Sequence, residues 1–254
     1  VEAAHSHARG LGRLVADIQR GVGGRAQKRQ KGEGRPKSGN EAHGQHVARV
    51  HGSCQRGLRY AARMSESAFE LVEPAARKAA MLFVCDHASN RVPQAYGTLG
   101  LEEGQFAAHI AYDIGAAQVT RALAQSYGAP AVLAAWSRLL IDLNRGADDP
   151  TLVMKLSDGR IIPGNRDADA AEVAKRIDLF YRPYHAAITE QIAKLRENGI
   201  VPTIISMHSF TPVWKGFRRP WDVGVLWDKD GRLAHPLMAA LARAGFTVGD
   251  NEPY

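Results

Sequence analysis

The stretch Met81 to Pro93, MLFVCDHASNRVP, constrains the fold most, because an unbroken apolar run stops abruptly at Asp86 and His87 before a small polar turn closed by Pro93. A continuous apolar run of this kind is how a strand covered on both faces reads. In an open parallel sheet, the carboxyl end of such a strand is where ligands bind. The pattern recurs downstream, where Ile200 to Met207 runs into His208, Ser209 and Phe210. Two buried strands that each finish on a histidine are therefore expected. Neutral imidazoles on neighbouring strand ends are a common beginning of a zinc site. The plainer alternative is that each histidine caps its strand and bonds a backbone carbonyl.

A chain of 254 residues can bury a full core. Its net charge of +7 would suit a nucleic-acid partner, but the excess lies wholly in the first 63 residues. That leader holds 13 Lys and Arg against 4 Asp and Glu; the rest holds 20 of the 33 basic residues and 22 of the 26 acidic ones. The tract from Gly23 to Asn40 has no apolar period, and Leu11 to Arg20 offers only one short amphipathic helix. Residues 1–63 thus read as a disordered basic leader, with an arm for RNA or membrane as the alternative. Met64 opens a sequence that looks like a natural protein start, so the leader also reads as an over-extended frame outside the native protein. No nucleic-acid or membrane partner is expected. Cys54 and Cys85 are the two cysteines, and they support neither a disulfide framework nor a paired-cysteine metal site. With no apolar run near the roughly 18 residues of a membrane span and no signal peptide, the expectation is a soluble, cytoplasmic protein.

Beyond the first strand, Asp113 precedes an Ala-rich helical pattern over 114–127 that stops at Gly128. Asp113 is either the helix N-cap or a carboxylate placed near His87. Pro130 to Ala135 reads as a second core strand, and four polar groups, Arg138, Asp142, Asn144 and Arg145, interrupt the apolar segment after it. Arg138 and Asp142 suit a structural salt bridge. Asn144 and Arg145 suit an anion site, because a guanidinium fork matches a carboxylate. The loop over 146–166 is either a substrate-covering segment or a surface excursion with a hairpin at Ser157-Asp158-Gly159. A helix over 170–197 must break or kink at Pro183, beside which Tyr184 and His185 either face the site or simply lie on the helix surface. A strand over 221–227, a helix over 235–244 with Pro236 in its first turn and a strand from Phe246 complete an α/β pattern with a mainly parallel sheet flanked by helices.

From Met81 to its end the chain resembles the N-formylglutamate amidohydrolase family, through CDHASNRVP at 85–93, HIAYDIGA at 109–116, SRLLIDLNR at 137–145, FYRPYH at 180–185, SMHSFTP at 206–212 and DNEPY at 250–254. That family is similar to the wider group of zinc-dependent exopeptidases, deacylases and cell-wall amidases. The resemblance implies a phosphorylase/hydrolase-like fold over 64–254 and a zinc-dependent cleavage of N-formyl-L-glutamate to formate and glutamate, a reaction of histidine degradation. It makes His87 and His208 metal ligands. Asp113 is the implied third ligand, with Asn90 or Asp86 as alternatives, since Asn90 stands where carboxypeptidase-like members carry a glutamate. Arg138 and His185 join the implied catalytic set, and Asn144, Arg145, Arg219, Ser209 and Asn251 the substrate-binding set.

The nearest competing expectation is another zinc amidase or deacylase acting on N-acyl amino acids or cell-wall peptides. A thiol hydrolase built on Cys85 and His87 is a competitor of different mechanism. The family's pattern also continues past the last residue here to a strand carrying an acidic group. The 64–254 domain is thus expected to be truncated at its carboxyl end, to lack the general base beyond Glu252, and to turn over weakly.

Overall fold

The structure, a computed structural model, describes residues 67–253 apart from 198 and 200. The leader, its short helix, Cys54 and the start at Met64 lie outside the described residues.

Four strands form the main sheet in the order β1-β3-β2-β4: β1 (Phe69–Val72), β2 (Met81–Cys85), β3 (Ala131–Ala134) and β4 (Thr203–Ser206). β2 pairs parallel with both β3 and β4, whereas β1 runs antiparallel to β3. Every residue of β2 is buried because helices cover both sides of it. Leu82 and Val84 point into one apolar cluster with Phe180, Tyr184 and Leu195. Met81, Phe83 and Cys85 point into the other, with Ala116, Ala117, Ala124 and Tyr127. The period of two therefore aims Asp86 to the side of Leu82 and Val84, and His87 to the opposite side.

Helix α1 (Ala116–Tyr127) covers the second face and ends where expected, with Gly128 left-handed at φ 57°. A Cβ there would lie 2.9 Å from the Ala76 carbonyl oxygen, so glycine is required by space as well as by conformation. The first face is covered by α2 (Ala170–Arg176) and α3 (Arg182–Glu197), joined by a π-helical turn over Ile177–Tyr181. The Arg182 amide reaches back to the Ile177 carbonyl, so the break predicted at Pro183 takes the form of a widened turn just before it. Leu156–Ser157 and Arg160–Ile161 form a small hairpin, with Asp158 and Gly159 both at positive φ, as the sequence pattern allows.

Several expectations need correction. β1 carries no strong apolar run and was not anticipated as a strand; two of its four residues are exposed. The second histidine-ended strand is not buried on both faces, because β4 is an edge of its sheet and Ile204 is half exposed. Two further strands, β5 (Val223–Val225) and β6 (Val248–Asp250), pair parallel with each other in a separate sheet. They pack with α4 (Gly231–Arg243) through Ala240, Leu241, Val223 and Val248. α4 starts four residues earlier than expected because the Asp230 carboxylate caps the Arg232 amide, which leaves Pro236 inside the helix. Among the described residues no helix is long and apolar enough to cross a membrane.

Candidate functional site

The carboxyl ends of β2 and β4 bring His87 and His208 together, with ring centroids 5.1 Å apart. Asp113 lies between them. Its Oδ2 is 2.9 Å from His208 Nδ1 and its Oδ1 is 3.5 Å from His87 Nδ1. It is not the helix N-cap: that position is Gly115, and the Asp113 carboxylate turns to the histidines and to the Ser209 amide instead. The Asp113 amide, in turn, donates to the His87 carbonyl, which ties the start of the α1 segment to the end of β2. One nitrogen from each ring and one carboxylate oxygen of Asp113 all lie within 4.8 Å of one another.

Both rings have their other nitrogen backed by a carboxylate. His87 Nε2 lies 2.7 Å from Asp142 Oδ1, both groups buried. His208 Nε2 lies 3.5 Å from Asp86 Oδ2. Arg138 closes the cluster: Nη2 donates to Asp142 Oδ2 at 2.8 Å, and Nη1 sits 3.3 Å from His87 Nδ1. The salt bridge expected between Arg138 and Asp142 is thus present, but Asp142 also orients His87. With His87 donating from Nε2 to Asp142, the Nδ1 lone pair already faces a cation, the guanidinium of Arg138.

Burial works against charge on Asp113, yet the hydrogen bond with His208 and the nearness of His87 outweigh it and hold the carboxyl well below the usual range. Asp142 is likewise drawn down to about 2, against burial, by His87 and Arg138. For His208 burial opposes protonation, but Asp113 and Asp86 push it up to about 9. Such a site carries concentrated negative charge that a cation relieves. The donor set fits a divalent metal of zinc's type, since tetrahedral zinc takes imidazole and carboxylate ligands at about 2.0–2.2 Å. The carboxylates behind each imidazole are the partners that metal-bound histidines use to fix their ring orientation.

The remaining sequence candidates are spread around this centre. Asn144 is exposed and its backbone amide donates to Asp142 Oδ1. Arg145 is half exposed, with Nε 3.9 Å from Asp142 Oδ2. His185 is partly buried, 3.2 Å from the Leu143 carbonyl and with its ring tilted against Tyr181, so it borders the loop that carries Asn144. Arg219 donates to the Thr211 carbonyl and lies over Phe210 and Trp214. Asn251 accepts from the Trp227 amide beside β5. Asn90, one alternative ligand, is engaged with the Phe106 carbonyl. Asp86, the other, is held by Tyr184 and stands behind His208 rather than between the two rings. Cys85 is fully buried and burial pushes its thiol up to about 12, which removes the thiolate a cysteine hydrolase needs. Tyr184, left between the site and the helix surface by sequence, is fully buried against Asp86.

Comparison with known proteins follows the same residues. A family model described as N-formylglutamate amidohydrolase matches residues 79–254. The gene product Atu2144 from Agrobacterium tumefaciens is 40% identical with a TM-score of 0.71, over 74% of this chain and 75% of that one. The N-formylglutamate amidohydrolase from Ralstonia eutropha JMP134 is 24% identical with a TM-score of 0.56, over 74% of this chain and 78% of that one, a likeness of fold. Among curated proteins none matches. Since the matched span holds both histidine-ended strands, Asp113 and the Asn144-Arg145 pair, this chain belongs to the N-formylglutamate amidohydrolase family.

Proposed function

We propose that this chain hydrolyses the amide bond of N-formyl-L-glutamate to formate and glutamate, with zinc held by His87, Asp113 and His208. The observation that carries the reading is the convergence of two imidazoles and a buried carboxylate in a chain of this family. Zinc bound there supplies a Lewis acid for the formyl carbonyl and lowers the pKa of water to about 7.

The chain's own residues do the rest. Asp142 keeps the Nε2 proton on His87, so that Nδ1, on the side of the ring nearer Asp113, is the nitrogen left for the metal. Arg138 holds a fixed positive charge at the edge of the cluster, 3.7 Å from Asp113 Oδ1, where it opposes negative charge developing on the formyl oxygen. Arg145, with its guanidinium half exposed, grips a substrate carboxylate through its fork, and Asn144 beside it adds an amide donor. Arg219, with Ser209 and Asn251, completes the substrate-binding set, and His185 supports the loop that carries Asn144.

The test is metal analysis of the purified chain combined with a panel of formyl, acetyl and succinyl amino acids. Stoichiometric zinc, loss of turnover with a chelator and preference for formylglutamate are expected. Best turnover of an acetyl or succinyl amino acid would assign the site to a different deacylase. Inactivation by a thiol alkylator with no effect of chelation would overturn the metal reading.

A further inference from the structure

We infer that Asp86, Ser206 and Tyr184 form a positioning relay that sets the orientation and tautomer of His208, an inference that rests on the metal reading above. The two histidines are laid out alike. Each turns Nδ1 to Asp113 and Nε2 to a carboxylate, Asp142 behind His87 and Asp86 behind His208. They differ in how firmly they are held. His87 is enclosed, whereas His208 stands at the end of an edge strand with its side chain 31% exposed, so its ring needs an anchor that packing does not provide.

Ser206 bridges the gap. It is the last residue of β4, two before His208, and its Oγ is 3.1 Å from His208 Nε2 and 3.4 Å from Asp86 Oδ2. Tyr184 occupies the other carboxylate oxygen, donating to Asp86 Oδ1 at 2.6 Å. A single set of protons satisfies the whole chain. Tyr184 donates to Asp86, Ser206 donates to Asp86, and His208 Nε2–H donates to Ser206, which keeps Nε2 occupied and leaves Nδ1, which donates to Asp113 in the metal-free site, as the nitrogen a metal would take.

This arrangement is built rather than incidental. Tyr184 is fully buried and Asp86 nearly so, and a phenol and a carboxylate stay out of water at a loss unless they satisfy each other. Phenylalanine would fill the same space in the cluster with Leu82 and Val84, so what the hydroxyl adds is its bond to Asp86. The alternation of β2 points Asp86 to the side that α3 covers with Tyr184, while His87 points away from it. Tyr184 therefore acts on a metal ligand from two residues away without touching substrate.

The experiment measures zinc affinity of the full chain by competition with a chromophoric chelator, beside thermal stability of the metal-free form, for the wild type, Tyr184→Phe, Asp86→Asn and Ser206→Ala. Loss of such outer partners typically weakens metal binding by about 10–100-fold. Asp86→Asn is expected in that range, and Tyr184→Phe and Ser206→Ala near its lower end. Leu195→Ala, a buried change about three turns along α3 from Tyr184, is expected to lower stability with zinc affinity unchanged. Should Asp86→Asn fail to fold, Ser206→Ala, at an exposed strand end, still decides. Zinc affinities equal to wild type in Tyr184→Phe and Ser206→Ala would overturn the relay and leave the metal reading standing. A wild type that binds no zinc would overturn the metal reading and the relay with it.

Discussion

Asp142 shows how one buried carboxylate can serve two charged or titratable partners at once. Its Oδ1 takes the His87 Nε2 proton and its Oδ2 takes Arg138, so neither a lone imidazolium nor a lone guanidinium is left uncompensated in the low-dielectric interior. Asp142→Asn keeps the shape but no longer selects the tautomer of His87, and it is expected to weaken zinc binding by about 10–100-fold in chelator competition. Arg145 makes a different argument. Its tie to Asp142 is long, at 3.9 Å, and its side chain is half exposed; on the proposed role, Arg145→Lys, which keeps charge but loses paired donors, is expected to raise KM for formylglutamate by roughly tenfold, with kcat nearly held. Steady-state kinetics check this, and an unchanged KM would make Arg145 structural.

At the scale of elements, the decisive feature is the turn over 137–145, which carries Arg138, Asp142, Asn144 and Arg145 without being helix or strand. It is held from outside. The buried Arg176 of α2 donates from Nη1 to the Leu140 carbonyl and to Asn165 Oδ1, while Asn165 donates to the Leu139 and Met154 carbonyls. These bonds fix an irregular segment whose backbone groups would otherwise be buried and unmatched. Arg176→Met is expected to destabilise the fold by about 1–3 kcal/mol for each acceptor it orphans, read as a lower urea midpoint at unchanged m-value. A midpoint equal to wild type would show that the turn holds its own shape.

For the molecule as a whole, the candidate centre draws on residues between Asp86 and Ser209, and the family match begins at residue 79. A chain lacking residues 1–63 is therefore expected to keep metal content and the substrate profile, measured side by side with the full chain; loss of either would give the leader a role. Much of the centre was legible in the sequence because its signals are local. An apolar run ending in Asp86-His87 and a second run ending at His208 mark strand ends, and Asp113 before the Ala-rich pattern marks a carboxylate at a helix start. Gly128 marked the end of that helix through its missing side chain. What the sequence by itself determined was thus the strands written as apolar runs, the breaks and the residue types that can hold a metal, while β1, which has no such run, escaped it. Only the tertiary structure decided which oxygen faces which nitrogen. It turned Asp113 from a plausible cap into the group between two imidazoles, gave Asp142 a second partner in His87, and sank Tyr184 against Asp86 across nearly a hundred residues of chain. It also placed β4 at an edge, where an apolar run had suggested burial on both faces. The physical reason is that strand and turn signals are written by near neighbours, whereas burial and hydrogen-bond partners depend on which distant elements pack together, and no local pattern carries that pairing.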